Sequence, residues 1–477
     1  MTADAASDRI AQLRREILDR TRELVQLREA PRPFVPGQTV VPYAGRVYDD
    51  EEVTAGVGSM LDFWLTLGKE GDLFEKELGR FLGVRSSILT NSGSSANLLA
   101  FAALTSFKLG ERRIRAGDEV ITAAAGFPTT VAPIVQHGAV PVFVDVDPLT
   151  ANVRVERLED AYVPGRTKAV MLAHTLGNPF DLAEVQRFCA DKGLWLIEDN
   201  CDALGSTWGG RLTGTFGDLS TQSFYPPHHL TLGEGGAVNV VRDAKLKMIV
   251  ESFRDWGRDC WCPSGVDNTC KKRFGWQLGE LPEGYDHKYI YSHIGYNLKP
   301  LDLQAAIGRV QLKRLAAFGE ARRRNWRLLR AGLASMEEFF EFSLPTHATG
   351  WTPDGFTWDS TPAGPRSDPS WFGFMLQVRE GAPFTTPQLT RHLDEKKIGS
   401  RRLFGGNLTR QPAFVQLRRD NPQAFRVVGS LPGADRLMHS ALFLGVYPGL
   451  TAEMLDYVIS TVGDFCRSAA QNRLSPS

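Results

Sequence analysis

The stretch LWLIEDNCDALGS, residues 194–206, is an apolar run that stops on two carboxylates and then breaks into small and polar residues. Four apolar residues in a row before a turn predict a strand buried on both faces. Such strands belong to parallel sheets covered by helices. In an open α/β sheet the ligand crevice lies beyond the carboxyl ends of the strands, so Asp199 is placed to face it. Acidic strand ends are common, and the motif gains weight only from its neighbours.

Outward from this stretch lie similar short runs: DEVITAA (118–124), VPVFVDV (140–146), AVMLAH (169–174) and GAVNVV (236–241). Helical segments such as SSANLLAFAALTSF (94–107) and LAEVQRFCADKG (182–193) separate them. The alternation from about residue 50 to 250 predicts an α/β fold with a large, mostly parallel sheet. Residues 302–340 read as a long helix leading to a smaller α+β C-terminal domain over 371–466. There WFGFMLQV forms a strand, and TPQLTRHLDEKK and TAEMLDYVISTVGDFCRS form helices. Residues 344–370 are rich in Pro, Gly, Thr and Ser and predict a flexible surface insertion. At the other end, Ile10, Leu13, Ile17, Leu24 and Leu27 recur at helical spacing. They predict an amphipathic helix over 8–29 that packs on the body or on a partner subunit. The expected division is an N-terminal helix and extended arm (1–48), a cofactor-binding domain (49–310), and a linking helix with the small domain (311–477).

The chain has 477 residues, is 42% hydrophobic, and balances 55 Lys+Arg against 55 Asp+Glu. Zero net charge leaves no footprint for nucleic acid or an anionic membrane. No apolar run is long enough to span a bilayer, and the first residues lack an apolar signal core. The expected location is the cytoplasm, where disulfides are rare and six cysteines need another account.

Three segments carry candidate chemistry. In NSGSSANLLAFAAL (91–104), Gly93, Ser94 and Ser95 open a helix whose free N–H groups suit a phosphate; a plain capped helix is the other reading. In STQSFYPPHHLTLGEGGAV (220–238), His228 and His229 offer proton transfer near neutral pH, or are two inert histidines in a turn. In RDCWCPSGVDNTCKKR (258–273), Cys260, Cys262 and Cys270 combine with Cys201 into C-x58-C-x-C-x7-C. Four thiolates suit a [2Fe–2S] cluster or a structural zinc, although the C-x-C step is unlike common zinc fingers, and no bound metal is the third reading. Cys189 and Cys466 read as small buried hydrophobes.

The order and spacing of these segments resemble the DegT/DnrJ/EryC/StrS sugar aminotransferase family, over about residues 35–466. GSSAN is similar to its phosphate turn, GFPTTVAP to its ring-stacking segment, and IEDNCDALGS to its pyridine-binding segment. SFYPPHHLTLGEGGA is similar to its lysine segment and GYNLKPLDLQAA to a loop supplied by the partner subunit. The resemblance implies the fold-type I architecture of pyridoxal phosphate enzymes and at least a homodimer. It implies that Asp199 pairs with the pyridine nitrogen and that Phe127 stacks on the ring. Gly93, Ser94, Ser95 and Ser223 would hold the phosphate, with Asn297 reaching in from a second subunit and Asp202 in support.

One position departs from the pattern. Where ordinary members place the lysine that tethers the cofactor, this chain has His228. Imidazole makes no stable imine but can move a proton. With the cysteine quartet, the resemblance narrows to the branch of iron–sulfur, pyridoxamine phosphate-dependent 3-dehydratases acting on CDP-4-keto-6-deoxyglucose. That branch implies a nucleotide-linked 4-keto-6-deoxyhexose as substrate, CDP- or dTDP-linked and possibly 2,6-dideoxy. It implies His228 as acid/base, with Tyr225 assisting and His229 as the competing base. Electrons would come from a flavin iron–sulfur reductase or a ferredoxin/flavodoxin system. Arg401, Arg402 and Arg410, in SRRLFGGNLTRQPAF (400–414), are expected to pair with the substrate diphosphate; a solvated basic face is the other reading. The alternatives are a sugar aminotransferase, a cluster-free 3-dehydratase of the colitose type, and a non-catalytic iron–sulfur or zinc-binding protein.

Overall fold

The computed structural model describes residues 3–30, 32–262, 265–358 and 366–474. Two sheets organise it. Their strands are β1 (Ser86–Thr90), β2 (Glu119–Ala123), β3 (Val140–Val144), β4 (Thr167–Ala173), β5 (Trp195–Asp199), β6 (Leu219–Ser223) and β7 (Gly236–Val240), followed by β8 (Phe340–Phe342), β9 (Gly373–Val378), β10 (Ser400–Arg402), β11 (Arg426–Val427) and β12 (Ala441–Gly445). The large sheet runs β1-β7-β6-β5-β4-β2-β3-β11. Neighbours from β6 through β11 pair in parallel, while β7 runs antiparallel to both β1 and β6.

The apolar runs are continuous because both faces of this sheet are covered. Along β2, Val120 enters one core and Ile121 the other; along β5, Trp195 and Ile197 oppose Leu196. This is the two-residue alternation of a strand with two dry faces. The helix Gly93–Leu104 is buried on nearly every side, and its run of Ala and Leu lets it lie close against β6 and β7.

The small sheet, β8-β9-β12-β10, is antiparallel and carries its own core around Trp326, Phe340, Phe374 and Leu442. The helix from the larger unit into this one is Asp302–Gly332, shorter than the expected 302–340. A short turn follows, and Phe340 then pairs with Val378 across the sheet. Phe340, which the helical reading took in, is the first residue of β8, and Phe339 before it lies in the turn. The expected division at 310/311 falls inside this continuous helix.

Two further expectations change. Residues 344–370 are not simply a flexible loop: Ala348–Thr352 and Gly355–Trp358 form a hairpin around Asp354-Gly355. Trp351 and Phe356 pack on the small core, while residues 359–365 lie outside the described residues. Turn-forming Pro, Asp and Gly had masked the strand residues between them. At the N-terminus the helix is Ala3–Arg28, but its apolar stripe faces solvent within the chain: Ile10 is 67% and Leu27 73% exposed. It is fixed by buried Val25 and by Arg14, which donates to the Gly58 carbonyl and Asp62. No helix among the described residues is long and apolar enough to cross a membrane.

Candidate active site

A cavity of about 950 Å³ opens beyond the carboxyl ends of β4, β5 and β6, roofed by the small domain. Asp199, the last residue of β5, is 5% exposed on its floor. Its Oδ2 accepts from Asn97 Nδ2 (2.8 Å) and Thr130 Oγ1 (2.6 Å), and its Oδ1 from the Cys201 amide (3.2 Å). Thr221 Oγ1 in turn donates to Asn97 Oδ1 at 2.7 Å. Two helix starts and a neighbouring strand thus fix the carboxylate in one orientation. No Lys or Arg among the described residues pairs with it, so a cation from outside the protein would complete the site.

The phosphate end is built by close backbone approach. A Cβ on Gly93 would lie 2.4 Å from Ser223 Cβ, and one on Gly236 would lie 2.4 Å from the Ser92 carbonyl. Only glycine lets β6, β7 and the start of the helix Gly93–Leu104 meet. The GEGG motif is explained at its last position. Gly93, Ser94 and Ser223 line the cavity. Ser95 does not: its amide and hydroxyl bond Ser92 Oγ, both at 3.0 Å, in the helix cap. Phe127, half-exposed, stands edge-on to Phe404 at the mouth. These residues fit a phosphorylated, protonated pyridine: free helix N–H groups at one end and a buried carboxylate at the other.

His228 lines the same cavity, and no lysine does among the described residues. Burial and the nearby Arg322 push its imidazole down to about 4, so the ring is neutral and able to accept a proton. Its Nδ1 makes no hydrogen bond, with Asp202 Oδ1 3.6 Å away. Burial and the Asp199 charge push the Asp202 carboxyl up to about 8. Tyr225 is half-exposed on the same wall. His229 does not line the cavity; its Nε2 lies 2.7 Å from the Ser370 carbonyl.

The other expected residues divide. Arg401 and Arg402 line the cavity, the first 4.0 Å over the Tyr43 ring and the second donating to the Met438 and His439 carbonyls. Arg410 does not line it and is held bidentately by Asp435 at 2.5 Å. Asn297 is exposed, accepts from Lys299, and does not line this chain's own cavity. Cys189 and Cys466 are buried among apolar side chains, as expected.

Cys201 lines the cavity; Cys260, Cys262 and Cys270 sit on an outer loop. The outer sulfurs already attract donors. The Cys262 amide points to Cys260 Sγ (3.5 Å), Thr269 Oγ1 to Cys262 Sγ (2.6 Å), and the Lys272 amide to Cys270 Sγ (3.4 Å). Among the described residues, however, no three of His, Cys, Asp and Glu converge as a metal site. The thiols are suitable donors that this arrangement does not gather.

Asn97, Thr130 and Thr221 were not singled out from the sequence. Asn97 and Thr130 lie inside the GSSAN and GFPTTVAP motifs, so the signal was present without a partner to give it meaning.

The pattern of the DegT/DnrJ/EryC1/StrS aminotransferase family matches residues 47–463. The chain is 49% identical over 464 residues to dTDP-4-dehydro-2,6-dideoxy-D-glucose 3-dehydratase of Saccharopolyspora spinosa, covering 97% of this chain and 94% of that one. It is 53% identical over 436 residues to the lipopolysaccharide biosynthesis protein RfbH of Salmonella typhimurium, covering 91% and 94%. Among solved structures, E. coli GDP-4-keto-6-deoxy-D-mannose-3-dehydratase with bound hydrated PLP superposes with a TM-score of 0.75 at 26% identity, over 89% of this chain and 100% of that one. The chain therefore belongs to the DegT/DnrJ/EryC1/StrS aminotransferase family and has its fold-type I architecture.

Proposed function

We propose that this protein is a 3-dehydratase acting on a nucleotide-linked 4-keto-6-deoxyhexose, CDP- or dTDP-linked, with pyridoxamine phosphate as its cofactor. The observation that carries this reading is the cavity lining, where His228 and Asp199 share one cavity and no lysine is present among the described residues. Relatives named as 3-dehydratases of such sugars, one solved with bound PLP, support it. When bound, pyridoxamine phosphate supplies the amine that condenses with the C4 ketone and the ring that takes up electrons released at its C4′ carbon.

The chain's residues do the rest. Asp199 holds the ring nitrogen protonated; Gly93, Ser94 and Ser223 hold the phosphate; Phe127 packs on the ring. His228 would take the proton from C4′ and hand it to the sugar C3 hydroxyl, which would then leave as water, with Tyr225 and Asp202 alongside. Arg401 and Arg402 receive the diphosphate. Asn297, which does not line its own cavity, would serve the cavity of a second copy in a homodimer.

The test is product analysis with CDP- and dTDP-linked 4-keto-6-deoxy sugars, with pyridoxamine phosphate and an electron donor. A 3-deoxygenated sugar is expected. An amino sugar formed from L-glutamate without loss of the C3 hydroxyl would establish an aminotransferase instead.

Dependence on a [2Fe–2S] cluster is the finer part of the proposal. It rests on four thiols outside the apolar core, three of them already accepting hydrogen bonds, and implies a flavin/iron–sulfur reductase or a ferredoxin/flavodoxin system as partner. No electron step is derived from the present arrangement. Protein purified without oxygen should show broad visible absorption that Cys260→Ser removes. A colourless preparation that holds zinc would replace the cluster with a structural metal.

A further inference from the structure

We infer that Arg322 is a positioning residue for His228: from the helix Asp302–Gly332 it clamps the turn bearing the imidazole onto the segment that leads into β9. The inference rests on the reading of His228 as the proton acceptor.

Arg322 is 1% exposed and pairs with no carboxylate among the described residues. Its two Nη groups serve carbonyls only. Nη2 donates to Pro227 (3.2 Å) and His228 (3.0 Å), and Nη1 to Trp371 (3.1 Å) and Phe372 (3.4 Å). Its Nε has no partner. A buried guanidinium with no carboxylate in direct contact is costly even with the Asp202 carboxyl nearby, and an apolar side chain would fill the same space with less penalty. The placement is specific: the planar fork joins two chain segments that a single ammonium could not bridge.

Both segments bear on His228. The His229 ring pins the same turn to the Ser370 carbonyl at 2.7 Å. The Phe372 ring lies 5.1 Å from the His228 imidazole at 48° and bounds it on one side. Catalytic imidazoles are usually oriented by a hydrogen bond to the nitrogen that does not react. His228 Nδ1 has none. With Asp202 Oδ1 3.6 Å from that nitrogen, the backbone held by Arg322 and the Phe372 ring add to the orientation from behind.

A double-mutant cycle separates this role from general structural support, because a residue acting through His228 loses its effect once His228 is gone. The variants are Arg322→Met, Arg322→Lys, His228→Asn and Arg322→Met with His228→Asn. They are assayed for kcat and KM with pyridoxamine phosphate and the nucleotide sugar turned over by the wild type, alongside thermal melting. Arg322→Met is expected to lower kcat about 10- to 100-fold, the scale of a misplaced reacting group, with KM within about twofold. Arg322→Lys should recover part of the loss, and Arg322→Met should leave the residual turnover of His228→Asn unchanged.

A wild-type kcat in folded Arg322→Met overturns the inference. So does an equal fractional loss in the His228→Asn background. If the Met variant does not fold, the Lys variant decides: a severalfold fall in kcat in folded protein supports the clamp, and a wild-type kcat overturns it. Full turnover by His228→Asn alone would instead overturn the reading of His228 on which the clamp rests.

Discussion

Asparagine at position 228 is expected to reduce dehydration by at least about 10³-fold while the protein folds and takes up its cofactor. The substitution keeps a short planar polar side chain and leaves the backbone carbonyl in the grip of Arg322. What it removes is the neutral imidazole proposed above to accept a proton from carbon. The nearest candidate to replace it, the Asp202 carboxyl 3.6 Å from the ring, is pushed up to about 8 and so holds its own proton at neutral pH. His229 is turned onto Ser370, Tyr225 is a hydroxyl at the half-exposed rim, and the cavity holds no lysine among the described residues. Turnover measured beside cofactor retention and melting temperature checks this. Wild-type turnover would remove His228 from the chemistry, whereas loss of cofactor would make it a binding residue.

How far this site could be read from sequence depended on whether each residue acts alone or through a partner. The large sheet was legible because strands dry on both faces leave long apolar runs, and Asp199 was legible because such a run ended on it. Gly93 and Gly236 were legible as motif glycines, but their reason is the space that β6, β7 and a helix start leave one another. Ser95 and Arg410 were placed by motif as ligand residues. The first is engaged by its own helix cap and the second by Asp435, preferences that no linear pattern displays. Asn97 and Thr130 acquire meaning only where two helix starts meet one carboxylate. The strand β11 was invisible because two residues carry no period. The hairpin at 348–358 was hidden because its aromatic residues are interrupted by turn formers.

Replacing Asp199 by Asn should cost roughly 10²–10⁴-fold in turnover without lowering the melting temperature of the cofactor-free protein. Asp199 is buried, it is joined nearby by Asp202, and no Lys or Arg among the described residues pairs with it. Alone, the protein bears the desolvation of that charge with the hydrogen bonds from Asn97, Thr130 and the Cys201 amide, and a longer one from Thr221, as partial relief. In the proposed function the missing cation is the protonated ring nitrogen, and deleting one member of a buried charge pair typically costs about 3–5 kcal/mol, which is the stated loss in rate. An amide cannot substitute. Asn97 and Thr130 both donate to Oδ2, so the new side chain must place its oxygen there and turn its NH2 toward Oδ1's site, where the Cys201 amide also donates. A donor then faces a donor. The uncharged variant no longer buries a carboxylate, which offsets that conflict in the cofactor-free protein. Activity and stability therefore part company at this residue, as they do where a site is strained in readiness for its ligand. If the Asn variant melts several degrees lower and still turns over normally, Asp199 is a structural carboxylate and the ring nitrogen is held elsewhere.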